Sequence, residues 1–234
     1  MNKCLIIFFT FFINLISSQV NLNVVILKKN SSGQYVLGIT VTNESKNNYI
    51  IPIDTTGFKA YYPSEVCSKI ENTDYPYKYL GPSIIIKDIN TDKYLEANPA
   101  AFDVNEKMAI EIEKKIDSSL QKKKSIIDIW RSKEKIENYK SAEKNHYLMT
   151  NIILLKAKHS FTYEIQMDIF DIRRSEFSLN HDKYILDEDK SYDFSLLICI
   201  DRILYNYLTS TQKKKLKNYK FFEGKIISNN ISFK

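Results

Sequence analysis

The chain has 234 residues, of which 44% are hydrophobic and 26% charged, and it carries a formal net charge of +6. That balance belongs to a globular chain rather than a disordered one, and the length fits one domain. The five glycines (Gly33, Gly38, Gly57, Gly81 and Gly224) exclude most nucleotide-binding and α/β-hydrolase chemistries: they build neither GxGxxG nor GxSxG, and Ile39-Thr40 follows Gly38 where a Walker loop needs Lys-Ser/Thr.

Lys supplies 30 of the 34 cations and Arg only 4, although Arg is the residue suited to bidentate phosphate recognition. Ile (33), Lys (30) and Asn (20) are the residues that AT-rich coding DNA favours, so codon bias accounts for much of the charge. No nucleic-acid partner is expected. Three histidines (His146, His159 and His181) and three cysteines leave little metal chemistry, and no cofactor is expected.

Residues 1–18 read as a signal peptide. Met1-Asn2-Lys3 is a short positive start, Leu5 to Ile16 an almost unbroken apolar run, and Ser17-Ser18-Gln19 a small-residue cleavage zone. The run is shorter than the ~20 apolar residues a bilayer span needs, and no later segment is long enough to span. Cleavage after Ser18 leaves Gln19 first, an ending similar to signals of secreted Gram-negative proteins. The chain is therefore expected to be exported, to the periplasm or beyond. Cys4 leaves with the signal. Cys67 and Cys199 remain, and in an oxidising compartment they permit one disulfide; the alternative is two buried, unpaired thiols.

The first half of the mature chain reads as strands. Leu22, Val24 and Ile26 alternate weakly; Tyr35, Leu37, Ile39 and Val41 alternate strongly after the turn Asn30-Ser31-Ser32-Gly33; Tyr49 to Ile53 and Ile84 to Ile86 are shorter. Residues 52–82 hold four of the five prolines and mark an irregular loop carrying Tyr61, Tyr62, Tyr75, Tyr77 and Tyr79. Tyr offers a flat apolar face and a hydroxyl, so these five are the candidate ligand-binding residues, able to stack on sugar rings or grip a peptide. A packed edge segment is the other reading.

Residues 103–149 hold no Gly or Pro and read as a helical insert. Asp103-Val104-Asn105-Glu106 fits a capping box, Met108, Ile112, Ile116 and Leu120 form an apolar stripe, and Ser125-Ile126-Ile127-Asp128 offers a second cap after Lys122 to Lys124. A helical hairpin or one long bent helix is expected, either as a lid over an open sheet face or as a partner surface.

Strong alternation returns over Phe161 to Ile169 and Tyr192 to Ile200, which share a pattern at an offset of 31: Leu155 with Leu186, Phe161 with Tyr192, Tyr163 with Phe194. Between them, Asp187 to Asp193 has oxygen ligands at calcium-loop spacing, but Tyr192 stands where Gly is needed and Ile198 where Glu is needed, so it reads as an acidic turn. Asp168, Asp171, Arg173, Arg174, Asp201 and Arg202 mark strand ends; catalysis would need paired carboxylates there, or Cys67 with a distant His. Thr209-Ser210-Thr211-Gln212 caps a short helix near residues 210–219 that carries Lys213, Lys214, Lys215 and Lys217. Ile227 to Phe233 forms the last strand.

Val41-Thr42-Asn43-Glu44-Ser45 followed by Ile50-Ile51-Pro52 resembles the first hairpin of bacterial immunoglobulin-like sandwich domains, in which a strand ends in Asn-x-Ser and the next runs into an apolar pair before Pro. Leu155 to Ile169 and Leu186 to Ile200 resemble their later strands. The resemblance covers scattered parts of residues 19–102 and 150–234. It implies a mainly β fold, an antiparallel immunoglobulin-like β-sandwich over residues 19–234 interrupted by the helical insert 103–149. It carries no catalytic residues. The expected function is an exported non-enzymatic binding or structural module for a protein or glycan, inhibitors included. The alternatives are an envelope-surface protein that meets polyanions through its lysines, and a hydrolase of unknown type.

Overall fold

The computed structural model describes residues 19–30, 34–64, 67, 78–173 and 179–233; the signal-like segment lies outside them. The strands, in chain order, are β1 (Val20–Lys29), β2 (Gln34–Asn43), β3 (Tyr49–Pro52), β4 (Ser83–Asp88), β5 (Tyr94–Leu95), β6 (Asn98–Ala101), β7 (Ile152–Leu155), β8 (Ser160–Asp168), β9 (Ile172–Arg173), β10 (Asn180–Lys183), β11 (Tyr192–Ile200), β12 (Lys220–Phe221), β13 (Gly224–Ile227) and β14 (Ile231–Phe233). Helices α1 (Glu106–Glu134) and α2 (Tyr139–Thr150) separate β6 from β7. A 3-10 turn (Arg202–Tyr207) and α3 (Ser210–Lys215) separate β11 from β12. The protein is thus mainly β, with several antiparallel sheets and a few helices. No helix among the described residues is long and apolar enough to cross a membrane.

The strands form sheets in the orders β1-β2-β8, β13-β11-β4-β5 with β14 also on β11, β12-β3-β7, and β6-β10-β9. All pairings are antiparallel except that of β12 with β3. Period two decides what each strand buries. In β1, Val20, Leu22 and Val24 point inward while Asn21, Asn23 and Val25 face out. Leu22 stands opposite Val41, and Leu37 opposite Ile165. Strand β11 lies between β4 and β13, and its residues Phe194 to Ile198 are all buried. One apolar cluster joins Val24, Leu37, Ile39 and Ile165 to Ile84, Ile86, Phe194 and Leu196, and takes in Ile51 and Leu148. Each such side chain contributes roughly 1.5–3 kcal/mol by leaving water.

Asn43 is fully buried at the end of β2. Its Nδ2 donates to the Asn47 carbonyl at 2.7 Å and the Lys156 carbonyl at 3.0 Å, and its Oδ1 accepts from the Ser45 backbone N–H at 3.0 Å and Oγ at 2.8 Å. The Asn-x-Ser element therefore works as a turn in which a side chain satisfies the backbone groups where the strand stops.

The insert is a helical hairpin, with three differences from expectation. Asn105, not Asp103, caps α1, its Oδ1 accepting from the Met108 N–H at 3.0 Å. No second cap operates at Ser125: α1 runs unbroken for 29 residues, because the lysines between are good helix formers and nothing there breaks the chain. Only half of the insert covers the core: α2 buries Ala142, Tyr147 and Leu148, whereas α1 has α2 as its principal partner, buries only Ile127, and leaves Met108 and Leu120 48% and 42% exposed. A stripe repeating every four residues winds about 40° further round the helix at each step, so its two ends cannot meet one flat surface.

The offset pattern likewise joins unlike environments. Phe161 is 36% exposed on β8, whereas Tyr192 is buried on β11 in another sheet.

Asn145 on α2 docks the hairpin. This fully buried amide exchanges two hydrogen bonds with Gln212 of α3, Nδ2 to Oε1 at 2.7 Å and Gln212 Nε2 to Oδ1 at 3.1 Å. Trp130 Nε1 of α1 donates to the same Oδ1 at 2.8 Å, and Asn145 Nδ2 also donates to the Tyr207 carbonyl at 2.6 Å. Donor and acceptor neighbours therefore dictate which way the amide faces. Asn145→Ala would leave several buried groups unpaired at about 1–3 kcal/mol each. The expected result is a fall of about 2–4 kcal/mol in urea-unfolding free energy, with far-ultraviolet dichroism showing the strands retained; an unchanged midpoint would show the network to be dispensable.

Candidate ligand-binding cleft

The chain after β11 builds an open cleft on the surface. Asp201 Oδ1 accepts the Ile203 N–H at 2.9 Å and starts the 3-10 turn that carries Arg202 and Tyr205. Thr209 and Gln212 form the capping box of α3. The chain then pairs with β3, the Lys220 N–H donating to the Asn48 carbonyl at 2.8 Å and the Phe222 N–H to the Ile50 carbonyl at 3.0 Å. Gly224, at φ +130°, turns it into β13, a conformation that residues with a Cβ rarely adopt.

The resulting cleft has a volume of about 670 Å³. Tyr49, Tyr205, Tyr219, Phe221 and Phe222 supply aromatic walls; Arg202, Lys220 and Lys225 supply charge; Gln19, Glu223 and Gly224 complete it. Two edge-to-face pairs hold the walls, Tyr49 with Phe222 at 5.7 Å and Tyr205 with Phe221 at 5.5 Å. The Lys213 ammonium lies 4.9 Å from the Tyr205 ring centroid. Tyr49 and Phe222 are buried, while Tyr205, Tyr219 and Phe221 are half-buried and present ring surface. The Tyr49 hydroxyl donates to Gln19 Oε1. Arg202 pairs loosely with Glu223 at 3.4 Å. Among the described residues, Lys220 and Lys225 have no ion pair, and the hydroxyls of Tyr205 and Tyr219 have no hydrogen-bond partner.

The tyrosines proposed from sequence lie elsewhere. Tyr79 is 4% exposed, so it belongs to the core and presents no ring to a ligand. Tyr61 and Tyr62 are half-buried. The Tyr184 hydroxyl accepts the Tyr61 N–H at 2.8 Å, the Tyr61 ring packs 5.7 Å from Tyr94, and the Tyr62 hydroxyl donates to Asp182 at 2.7 Å. These bonds tie the segment to the body, which leaves Tyr61 bordering a smaller hollow of about 280 Å³ with Ile85, Tyr94, Leu197 and Ile227. Tyr75 and Tyr77 lie outside the described residues.

Cys67 and Cys199 form a disulfide with their Cα atoms 5.5 Å apart, across a separation of 132 residues. In the chain-entropy model a closure of that length contributes about 5 kcal/mol.

The acidic residues are engaged locally. Asp171 pairs with Arg173 at 3.1 Å. Asp168 accepts from the Phe170 N–H at 2.9 Å and from Gln34 Nε2 at 3.3 Å. Asp187 accepts the Asp189 N–H at 3.2 Å and pairs with Lys190 at 3.5 Å, as an acidic turn does. Arg174 lies outside the described residues. No group of three or more His, Cys, Asp or Glu able to hold a metal occurs among the described residues.

Sequence reasoning missed Tyr205, Tyr219, Phe221, Lys220 and Lys225. The run Tyr219-Lys220-Phe221-Phe222-Glu223-Gly224-Lys225 does interleave aromatic rings with cations, and that was the available signal. Tyr49 and Tyr205 join it only through the fold. No known family profile matches the chain, and comparison with curated proteins and with solved structures finds no match.

A buried cation lies against Tyr79. Lys59 Nζ donates to the Tyr79 carbonyl at 2.9 Å and sits 5.4 Å from the Tyr79 ring centroid. Burial lowers its pKa from 10.5 to about 8. Between these values the unfolded chain binds a proton that the folded chain does not, so this lysine adds stability as pH rises from about 8 towards 10.5. Urea unfolding at about pH 8 and about pH 10 should show the natural protein gaining on the order of 2 kcal/mol relative to Lys59→Met. Parallel pH dependence in the two proteins would refute this.

Proposed function

We propose that the protein is an exported, non-enzymatic binding module, an immunoglobulin-like β-sandwich with a helical insert, which holds a glycan or protein partner in the cleft between the 3-10 turn, β3 and β12. The single observation that carries the reading is the surplus of unused binding capacity there: half-buried rings, two free tyrosine hydroxyls and two unpaired lysines lie around one hollow. Polar groups without protein partners are what a ligand completes.

Support for the sandwich comes from the apolar cluster shared by the β1-β2-β8 and β13-β11-β4-β5 sheets, and from the Asn43–Ser45 turn at the place the resemblance requires. Export is supported by the signal-like first 18 residues and is consistent with the Cys67–Cys199 bridge. A binding rather than catalytic role is supported by the strand-end carboxylates, which spend their hydrogen bonds on adjacent turns and cations.

The full chain is expressed in a Gram-negative host, its terminus read by mass spectrometry, and the processed protein screened on mixed glycan and peptide arrays. The expected product leaves the cytoplasm, begins at Gln19 and binds at least one array class; a Tyr219→Ala, Phe221→Ala double variant with an unchanged dichroism spectrum binds about tenfold more weakly or worse. Unprocessed cytoplasmic protein would refute export, and undiminished binding by the double variant would refute the cleft.

A further inference from the structure

We infer that the cleft takes an acidic saccharide, a short chain of uronate-bearing pyranose rings; this rests on the binding-module reading and adds the ligand class. Three features of the site converge on that chemistry. The ring surfaces of Tyr205, Tyr219 and Phe221 are partly exposed, and Tyr205 meets Phe221 edge to face at 5.5 Å, so the two rings form a corner rather than a slot. A corner of this kind offers apolar area to the flat face of a sugar ring, while the free Tyr205 and Tyr219 hydroxyls can exchange hydrogen bonds with sugar hydroxyls.

The charge is one-sided and uncommitted. Lys220 and Lys225 have no ion pair among the described residues, and the single acid, Glu223, is loosely held by Arg202 with both side chains more than half exposed, at 52% and 71%. A pair this exposed contributes little, so Arg202 can turn to a ligand carboxylate at small cost.

Size and cation type favour a short saccharide over the competing polyanions. The volume of about 670 Å³ lies in the range of small-ligand sites, roughly 300–1,000 Å³, rather than that of a groove tracking a nucleic-acid backbone. Two of the three cleft cations are lysines, flexible point charges suited to single carboxylates spaced along a hydrated chain, and Arg202 alone has the fork geometry that phosphate readers use.

The test is isothermal titration of the processed protein with trigalacturonate, with maltotriose as the neutral match and with poly-glutamate and oligo-dT as competing polyanions. The acidic trimer should bind about tenfold more tightly than maltotriose at low salt, and the difference should shrink as salt is raised. Lys220→Gln with Lys225→Gln should abolish that difference, and Tyr205→Phe should weaken both sugars alike. Equal affinity for the two sugars, or tighter binding of poly-glutamate or oligo-dT, would overturn the acidic-saccharide assignment and leave the binding module standing. Failure of the cleft variants to change binding of any probe would overturn both.

Discussion

The reciprocal amide bond between Asn145 and Gln212 is the contact on which the far end of the molecule depends. It is buried, it uses both donors and both acceptors, and it touches four elements: α1 through Trp130, α2, the 3-10 turn through the Tyr207 carbonyl, and α3. Gln212 is also the third residue of α3 and closes its capping box, accepting the Thr209 N–H at 2.9 Å. The same amide thus starts the helix and docks the hairpin. In a dry setting such a network stabilises only when every member is satisfied, and this one specifies where the chain from Tyr205 to Lys225 must run. The cleft is a consequence of that path.

The rest of the architecture follows from burial. All four sheets contribute to one apolar cluster, and polar side chains deal with the backbone where strands stop, as Asn43 does at the end of β2. Lys59 is the costly exception, a cation buried against a carbonyl and a ring with its charge disfavoured by desolvation. It lies against Tyr79, and the Cys67–Cys199 bridge fastens Cys67 to β11.

Period-two patterning made β2, β8 and β11 legible, because each is long enough for alternation to repeat several times. The Thr209–Gln212 box was legible because the signal is local and chemical. Strands β5, β6, β9, β10 and β12 were not, since two to four residues carry no period and β6 contains Pro99. The α1 cap was misplaced by two residues because Asp103 and Asn105 are both competent caps, and their local sequences do not rank them. The tyrosine segment attracted attention by composition, yet burial is a tertiary property, and Tyr79 is consumed by the core. The cleft was half legible: its cation–aromatic run is contiguous, but Tyr49 sits some 170 residues upstream and enters only through the parallel β3–β12 pairing.

The central proposal is that ligand binding occurs at this C-terminal cleft and not at the hollow beside Tyr61. Chemical-shift mapping by nuclear magnetic resonance during titration with trigalacturonate distinguishes them directly. The expected result is that the largest perturbations fall on Tyr205, Tyr219, Lys220, Phe221 and Lys225, with Tyr61, Ile85 and Tyr94 unmoved. Perturbations centred on Tyr61, Ile85 and Tyr94, with the cleft silent, would contradict it.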